Sequence, residues 1–172
     1  MVEHVYAKVS FYSPNCGPWS TLAALHPKRT RENNRSAEIP TLEWISNRAI
    51  DRHQRNQLSS IVENPLRTAI YDSSPLSKLL KHPQSRTLSL DQCQFGAFQV
   101  GTGLPVRKST KLLSIGITLR QTLQRCTHPY QCEAHATLLN HDSKGFAVYP
   151  PGMCAAIIHD VAAHLSPYQV MK

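Results

Sequence analysis

The feature that most constrains the fold is a short alternating stretch followed at once by a loop rich in proline and glycine. Apolar side chains occur at every second position of this stretch: Val5, Ala7, Val9 and Phe11. That period predicts a β-strand. The next eight residues, Ser13-Pro14-Asn15-Cys16-Gly17-Pro18-Trp19-Ser20, predict a tight loop. Because open α/β sheets build their sites just beyond strand ends, the loop is a candidate site.

The rest of the sequence alternates between strand-like and helix-like patterns, which predicts an α/β sheet with helices on its faces. Strands are predicted over 58–62, 87–90 and 111–115. Helices are predicted over 41–56 with Thr41 as N-cap, and over 74–81, 118–125 and 151–165. The polar and basic segment 26–40 is expected to form a mobile loop, and the glycines at 96, 101 and 103 mark loop or turn.

The composition narrows the function classes. The chain of 172 residues carries 19 Lys and Arg against 11 Asp and Glu, and this net charge of +8 favours a polyanionic partner, with DNA first. No apolar stretch is long enough to cross a bilayer, so no membrane association is expected. The start of the sequence lacks a signal-peptide pattern, and five widely spaced cysteines do not resemble a secreted disulfide framework. We therefore expect a nuclear or cytoplasmic, intracellular location.

Cys16 and Glu63 are the first two candidates for chemistry. A cysteine in a loop after a strand can have its thiolate stabilised by loop amides, as a nucleophile requires, although a lone cysteine is more often a small apolar residue. Glu63-Asn64-Pro65 is predicted to be a polar corner at the end of a strand. A carboxylic acid held there can donate a hydrogen bond to a ring nitrogen, although a solvated glutamate at a turn is the commoner outcome.

A third motif combines Phe95-Gly96 with the basic stretch Gly103-Leu104-Pro105-Val106-Arg107-Lys108-Ser109-Thr110. Cations beside a glycine turn can hold a phosphate or a base carbonyl. The alternative is a basic flank of a hairpin with no ligand.

Taken in order, the three motifs resemble the catalytic half of a cytosine-C5 DNA methyltransferase. That family has a Pro-Cys-Gln-x-Phe-Ser loop, a Glu-Asn-Val corner, and a Tyr-Gly…Gln-x-Arg-x-Arg stretch leading into a strand. The similarity covers about residues 5–116, with 47 positions from Cys16 to Glu63 and 45 from Glu63 to Lys108. The chain also resembles divergent versions of this segment in retroelement-type polyproteins, which end in Tyr-Pro-Pro-x-x-Cys as Tyr149 to Cys154 does here.

The resemblance implies a fold, a reaction and roles for individual residues. It implies part of a Rossmann-like methyltransferase sheet and methyl transfer from S-adenosylmethionine to cytosine in DNA. Cys16 would add to C6 of the ring, Glu63 would hold N3 and the exocyclic amine, and Arg107 or Lys108 would hold O2. The cofactor would lie near Pro14, Asn15 and Asn64. Contacts to the nucleic acid would come from cationic side chains: Lys28, Arg29, Arg31, Arg35 and Lys111.

The sequence departs from the family in ways that bear on activity. Asn15, Gly17 and Pro65 replace the usual proline, glutamine and valine, and the Gln-x-Arg-x-Arg pattern is degraded. The Gly-rich strand-turn-helix that binds the cofactor in the family, with the first strands of its sheet, has no counterpart before Cys16. We therefore expect a fragment, a chain completed by an N-terminal half or a second chain, or an inactive remnant.

A cysteine- and histidine-rich stretch follows residue 125. Zinc prefers tetrahedral nitrogen and sulfur ligands, which Cys126, His128, Cys132 and His135 would supply. Their spacing is not that of a standard zinc finger, and a His-rich surface loop is the alternative. The sequence thus predicts three segments: a methyltransferase-like segment over 1–125, a Cys/His-rich loop over 126–145 and a C-terminal helical segment over 146–172.

Two other functions remain open from the sequence. Ser13-Pro14-Asn15-Cys16 also resembles a degenerate loop of amino-methyltransferases, in which a backbone carbonyl holds the target amine and no thiol is needed. The third function is a basic nucleic-acid-binding module, or a retroelement-derived remnant, without catalysis.

Overall fold

The computed structural model describes residues 7–127, 135–136 and 148–166, and it has a mixed α/β architecture. The helices and strands, in chain order, are β1 (Val9–Tyr12), α1 (Lys28–Asn56), β2 (Ser59–Pro65), α2 (Ser74–Leu80), β3 (Ser85–Asp91), β4 (Ser109–Ile115) and α3 (Pro151–Leu165). Four 3₁₀ helices lie between them: Gly17–Trp19, Thr21–Leu25, Ala69–Asp72 and Gln92–Phe95. The predicted α/β class is confirmed.

The strands form one mixed sheet in the order β1-β2-β4-β3. β1 and β2 are parallel neighbours, with a register that runs from Val9 opposite Ser59 to Tyr12 opposite Val62. Parallel neighbours need a long crossover connection, and α1 provides it. Since both strands run in the same direction, their carboxyl ends lie at the same edge of the sheet.

The chain divides into two compact units by its internal contacts. The first unit contains Met1–Thr87 and Lys111–Thr118, and the second contains Leu88–Thr110 and Leu119–Lys172. The core of the first unit is an apolar cluster in which α1, α2 and two strands take part. Its fully buried members include Leu42, Ala49, Val62, Ile70, Leu76 and Leu113.

The expectation of a mobile loop over 26–40 is wrong, because α1 begins at Lys28. The segment holds good helix formers, and Lys28 and Glu32 make an i,i+4 ion pair with 3.8 Å between Nζ and Oε1. Thr41 therefore lies inside the helix and does not cap it, and α1 continues through Pro40. The predicted end of this helix, at about Asn56, is confirmed.

The helix predicted over 118–125 is also wrong, since these residues are irregular. The buried carboxylate of Asp160 in α3 explains why. It accepts hydrogen bonds from the backbone N–H groups of Arg120, Gln121 and Thr122 at 2.9–3.0 Å and from the Thr122 hydroxyl at 2.6 Å. These donors are bound by a distant side chain, which fixes an irregular segment.

Other predicted elements are confirmed with small shifts. α3 covers the predicted range, and β3 and β4 each extend beyond theirs. In α2 the N-cap position is Ser73 in place of Ser74, and its side chain makes no capping hydrogen bond. β2 includes the Glu63-Asn64-Pro65 corner, which is therefore the last part of the strand. Within the described residues, no helix combines the length and the apolar character needed to span a bilayer.

Candidate functional site

The loop after β1, in the first unit, is ordered by hydrogen bonds within the loop itself. Cys16 lies at the N-cap of the Gly17–Trp19 helix, and its carbonyl accepts a hydrogen bond from the Trp19 N–H at 3.0 Å. The Asn15 Oδ1 atom accepts the Gly17 N–H at 3.0 Å. Cys16 is half-buried. The residues that depart from the family pattern, Asn15 and Gly17, thus close the turn on which Cys16 sits.

The loop is bonded to the end of β2. The Ser13 hydroxyl donates to Glu63 Oε2 at 2.9 Å, and Asn64 Nδ2 donates to the Pro14 carbonyl at 3.2 Å. Glu63 is 3% exposed and Asn64 is 1% exposed. The structure therefore brings the loop that carries Cys16 and the Glu63-Asn64 pair together at one edge of the sheet.

Side chains from the first half of α1 also contact the loop. Arg35 donates from Nε to the Pro18 carbonyl at 3.0 Å, and its guanidinium lies 5.0 Å from the centre of the Trp19 ring. Asn15 Nδ2 donates to Glu38 Oε1 at 2.9 Å. Sequence reasoning missed the positioning roles of Arg35 and Glu38 because it took their segment for a loop.

This arrangement places a thiol and a buried carboxyl group beside the carboxyl ends of two parallel strands, where open α/β sheets bind ligands. The Asn64 Oδ1 atom is buried and finds no hydrogen-bond donor among the described residues. A buried acceptor without a donor is costly to the folded state.

The residues assigned to S-adenosylmethionine by resemblance do not fit that cofactor. Pro14 uses its carbonyl to bind Asn64, and Asn15 uses both side-chain polar atoms within the loop and its contact to α1. One acceptor atom on Asn64 is too little to hold a nucleoside and an amino acid. We therefore derive no methyl-transfer step for this chain.

The predicted nucleic-acid contacts fall on two parts of the first unit. Lys28, Arg31 and Arg35, at i, i+3 and i+7, share one face of α1, with Arg29 beside them. The first turn of this helix has no acidic residue, so its cations oppose the helix dipole. Lys111 lies apart in β4, with Nζ 4.6 Å from the centre of the Tyr71 ring.

Arg107 and Lys108, the predicted partners of the base, belong to the second unit. The Arg107 Nε atom lies 3.7 Å from the Asp91 carboxylate, and the Lys108 Nζ atom lies 5.9 Å from the centre of the Tyr149 ring. Their proposed role toward a pyrimidine stays a prediction.

The second unit brings three soft ligands together. The side-chain ligand atoms of Cys93, Cys126 and His135 lie within 4.8 Å of one another, and Cys126 Sγ is 3.2 Å from His135 Nε2. The sequence nominated Cys126 and His135, whereas His128 and Cys132 lie outside the described residues. Sequence reasoning missed Cys93, although it follows a predicted strand, as Cys16 does.

Asp91 organises the backbone around this cluster. Its buried carboxylate accepts the Cys126 N–H and the Arg125 Nε–H, both at 2.9 Å, and the Ser109 hydroxyl. Burial alone would raise the pKa of Asp91, but these hydrogen bonds and the Arg125 charge outweigh it and hold the pKa below its ordinary value. Burial, with the neighbouring Cys126 and Asp91, raises the pKa of the Cys93 thiol to about 11.

Comparisons of the chain with models of protein families, with curated proteins and with solved structures find no match. The residues themselves therefore carry the functional argument.

Proposed function

We propose that this chain is the pyrimidine-attacking half of a cytosine-C5 DNA methyltransferase-like enzyme, built on part of a Rossmann-like sheet. The supporting observation is the contact between the loop after β1 and the end of β2, its parallel neighbour. The loop of Cys16 and the Glu63-Asn64 pair meet through the Ser13–Glu63 and Asn64–Pro14 hydrogen bonds. These are the two motifs that the reaction requires side by side.

The proposed chemistry is addition of the Cys16 thiolate to C6 of cytosine. The S–C6 bond forms, the C5–C6 double bond opens, and its electron pair makes C5 nucleophilic. Glu63 would hold N3 and the exocyclic amine, and Asn64 would hold the loop through its hydrogen bond to the Pro14 carbonyl. The base reaches this loop only after it leaves a duplex or from a single strand, at a cost of about a few kcal/mol in the duplex.

The first half of α1 supplies the polyanion contact in this proposal. Lys28, Arg29 and Arg31 would bind phosphates near the loop, because bound anions would offset the unfavourable interaction between these cations and the helix dipole. A partner chain or an N-terminal half that binds S-adenosylmethionine would then supply the methyl group. We expect this chain alone to show no micromolar binding of S-adenosylmethionine in calorimetry.

The addition step can be measured without a methyl donor. In D₂O the nucleophilic C5 takes a deuteron, and loss of the C5 proton with cleavage of the S–C6 bond returns deuterated cytosine. We expect the chain to exchange the C5 hydrogen of a single-stranded cytosine oligonucleotide, detected by mass spectrometry of the nucleosides. Cys16→Ala should abolish the exchange, and Cys154→Ala, at an exposed cysteine of α3, should leave it unchanged.

Absence of exchange in the wild-type chain, or exchange that survives in Cys16→Ala, would contradict the proposal. Oligonucleotide binding without exchange would favour the non-catalytic nucleic-acid module, for which the cationic face of α1 is the supporting observation. Methylation of an exocyclic amine that survives in Cys16→Ala, in the presence of a cofactor-binding partner, would favour the amino-methyltransferase.

A further inference from the structure

Three metal-ligand side chains of the second unit converge although they are distant in sequence. Cys93 follows β3, and Cys126 and His135 lie on either side of residues 128–134, which fall outside the described residues. We infer that Cys93, Cys126 and His135 bind a zinc ion, with Cys93 as a ligand that the Cys/His-rich stretch itself does not contain. This site is independent of the pyrimidine chemistry proposed for Cys16.

The distances agree with such an ion. Tetrahedral zinc with Zn–S near 2.3 Å and Zn–N near 2.0 Å puts two sulfurs about 3.8 Å apart and sulfur and nitrogen about 3.5 Å apart. The observed separations are 3.2 Å for Cys126 Sγ to His135 Nε2 and at most 4.8 Å within the set. They are close to the expected values, so the ligand atoms would need only small side-chain movements to coordinate one ion. Two thiolates and an imidazole are donors that select zinc over magnesium or calcium.

The backbone holds the three ligands in place. The Asp91 N–H donates to the Gln124 carbonyl, and its carboxylate accepts the Cys126 N–H, each at 2.9 Å. These bonds fix the segment of Cys126 beside the end of β3, from which Cys93 follows within two residues. The Ala136 N–H donates to the Pro105 carbonyl at 2.9 Å, which anchors the residue next to His135. Hydrogen bonds of this kind position the ligands before a metal binds, as the outer partners of metal sites do.

Metal content is the first measurement. The purified full chain, stripped with a chelator and dialysed against zinc chloride, should retain about one zinc per chain by elemental analysis. Cys93→Ser and Cys126→Ser should lower the zinc affinity by more than about 100-fold, beyond the effect typical of outer partners. Cys154→Ser and Cys16→Ser are matched controls that should keep full affinity.

Thiol protection in the wild-type chain provides a test that does not depend on folded variants. Zinc should protect half-buried Cys126 from alkylation, as mapped by mass spectrometry, and should leave exposed Cys154 as reactive as with chelator. A wild-type chain that binds no zinc would overturn the inference. So would unchanged zinc affinity in Cys93→Ser, since the ligands would then come from the Cys/His-rich stretch alone.

Discussion

Cysteines occupy two contrasting surroundings in this protein. Cys16 in the first unit lies in a polar loop whose side chains are bonded to the end of β2 and to α1. Cys93 and Cys126 in the second unit lie with a histidine beside a buried aspartate. The first setting places one half-buried cysteine in a loop at a sheet edge, and the second brings three possible metal ligands close together. These surroundings are the basis for the two proposals, covalent addition by the thiol of the first unit and metal binding by the thiols of the second.

The most direct test of this contrast compares two ligands, each of which should protect the thiol of one site from alkylation. Excess cytosine-containing oligonucleotide should suppress alkylation of Cys16 and leave Cys126 reactive, whereas zinc should do the reverse, because each ligand covers only its own thiol. Peptide mass spectrometry with a labelled alkylating reagent measures both sites in one sample. Zinc protection of Cys16 would remove the distinction between the two surroundings.

The anchors of the two sites should differ in their contribution to stability. Asp91→Asn removes a buried charge that accepts several hydrogen bonds and pairs with Arg125, so we expect the free energy of unfolding to fall by about 3 kcal/mol. Glu63→Gln keeps an oxygen that can accept the Ser13 hydroxyl and should lower it by about 1 kcal/mol or less. Urea denaturation of both variants tests this order, and equal losses would contradict it.

Acid should act on the second unit through Asp91 and Asp160. Burial would raise the pKa of Asp160, but bonds from the Thr122 hydroxyl and from three backbone N–H groups hold it below its ordinary value. A carboxyl group with a lowered pKa in the folded state stabilises the fold above its unfolded pKa, near 4, and loses that contribution as pH falls through the folded value. We therefore expect stability to fall below about pH 4, by at most about 1.4 kcal/mol per pH unit for each group.

The position of the two tryptophans allows the units to be followed separately. Trp19 and Trp44 both belong to the first unit, so their fluorescence reports on that unit. On acidification, the protection of amides 119–127 from hydrogen exchange, measured relative to the intrinsic rate at each pH, should fall before the fluorescence changes, and Asp160→Asn should weaken this pH dependence. Simultaneous changes at both probes at every pH would argue against separate responses.

The smallest expected effect concerns the cationic start of α1. Arg29→Gln removes an exposed cation that opposes the helix dipole, so the helix should gain about 0.3–0.5 kcal/mol of stability. The same change should lower the salt dependence of single-strand binding by about 0.7 in the log–log slope, corresponding to one phosphate contact. Fluorescence anisotropy across a salt series measures the slope, with Arg86→Gln on β3 as the control; an unchanged slope would place Arg29 outside the interface.

Local patterns predicted the elements that depend on local chemistry. The range of α3, the cores of β3 and β4 and the end of α1 all follow from periodicity and capping residues. The start of α1 was missed because Pro40 and a polar composition suggest a loop, whereas the helix is held there by Arg35 and Glu38 contacts to a loop distant in sequence. Residues 118–125 fail for the same reason, since Asp160 lies about 40 positions away.

The candidate sites show the same difference between what local sequence patterns predict and what depends on contacts distant in sequence. Cys16 and Glu63 could be nominated because each is set in a recognisable turn or strand end, but the contact between the Cys16 loop and the end of β2 depends on the parallel pairing of β1 and β2. Cys93 could not be grouped with Cys126 from spacing, because the two are joined through Asp91. Pairings of this kind depend on three-dimensional packing that single-sequence patterns do not contain.

The side-chain bridges from α1 to the Cys16 loop have a thermodynamic consequence. The buried core members of α1, Leu42, Ile45 and Ala49, lie in its second half, and its first half contributes the partly buried Ile39. The order of this first half and the order of the loop therefore depend on each other through Arg35, Glu38 and their partners. If a polyanion at the helix start and a base at the thiol both bind as proposed and both order this shared segment, linkage requires each to raise the apparent affinity for the other by the same factor.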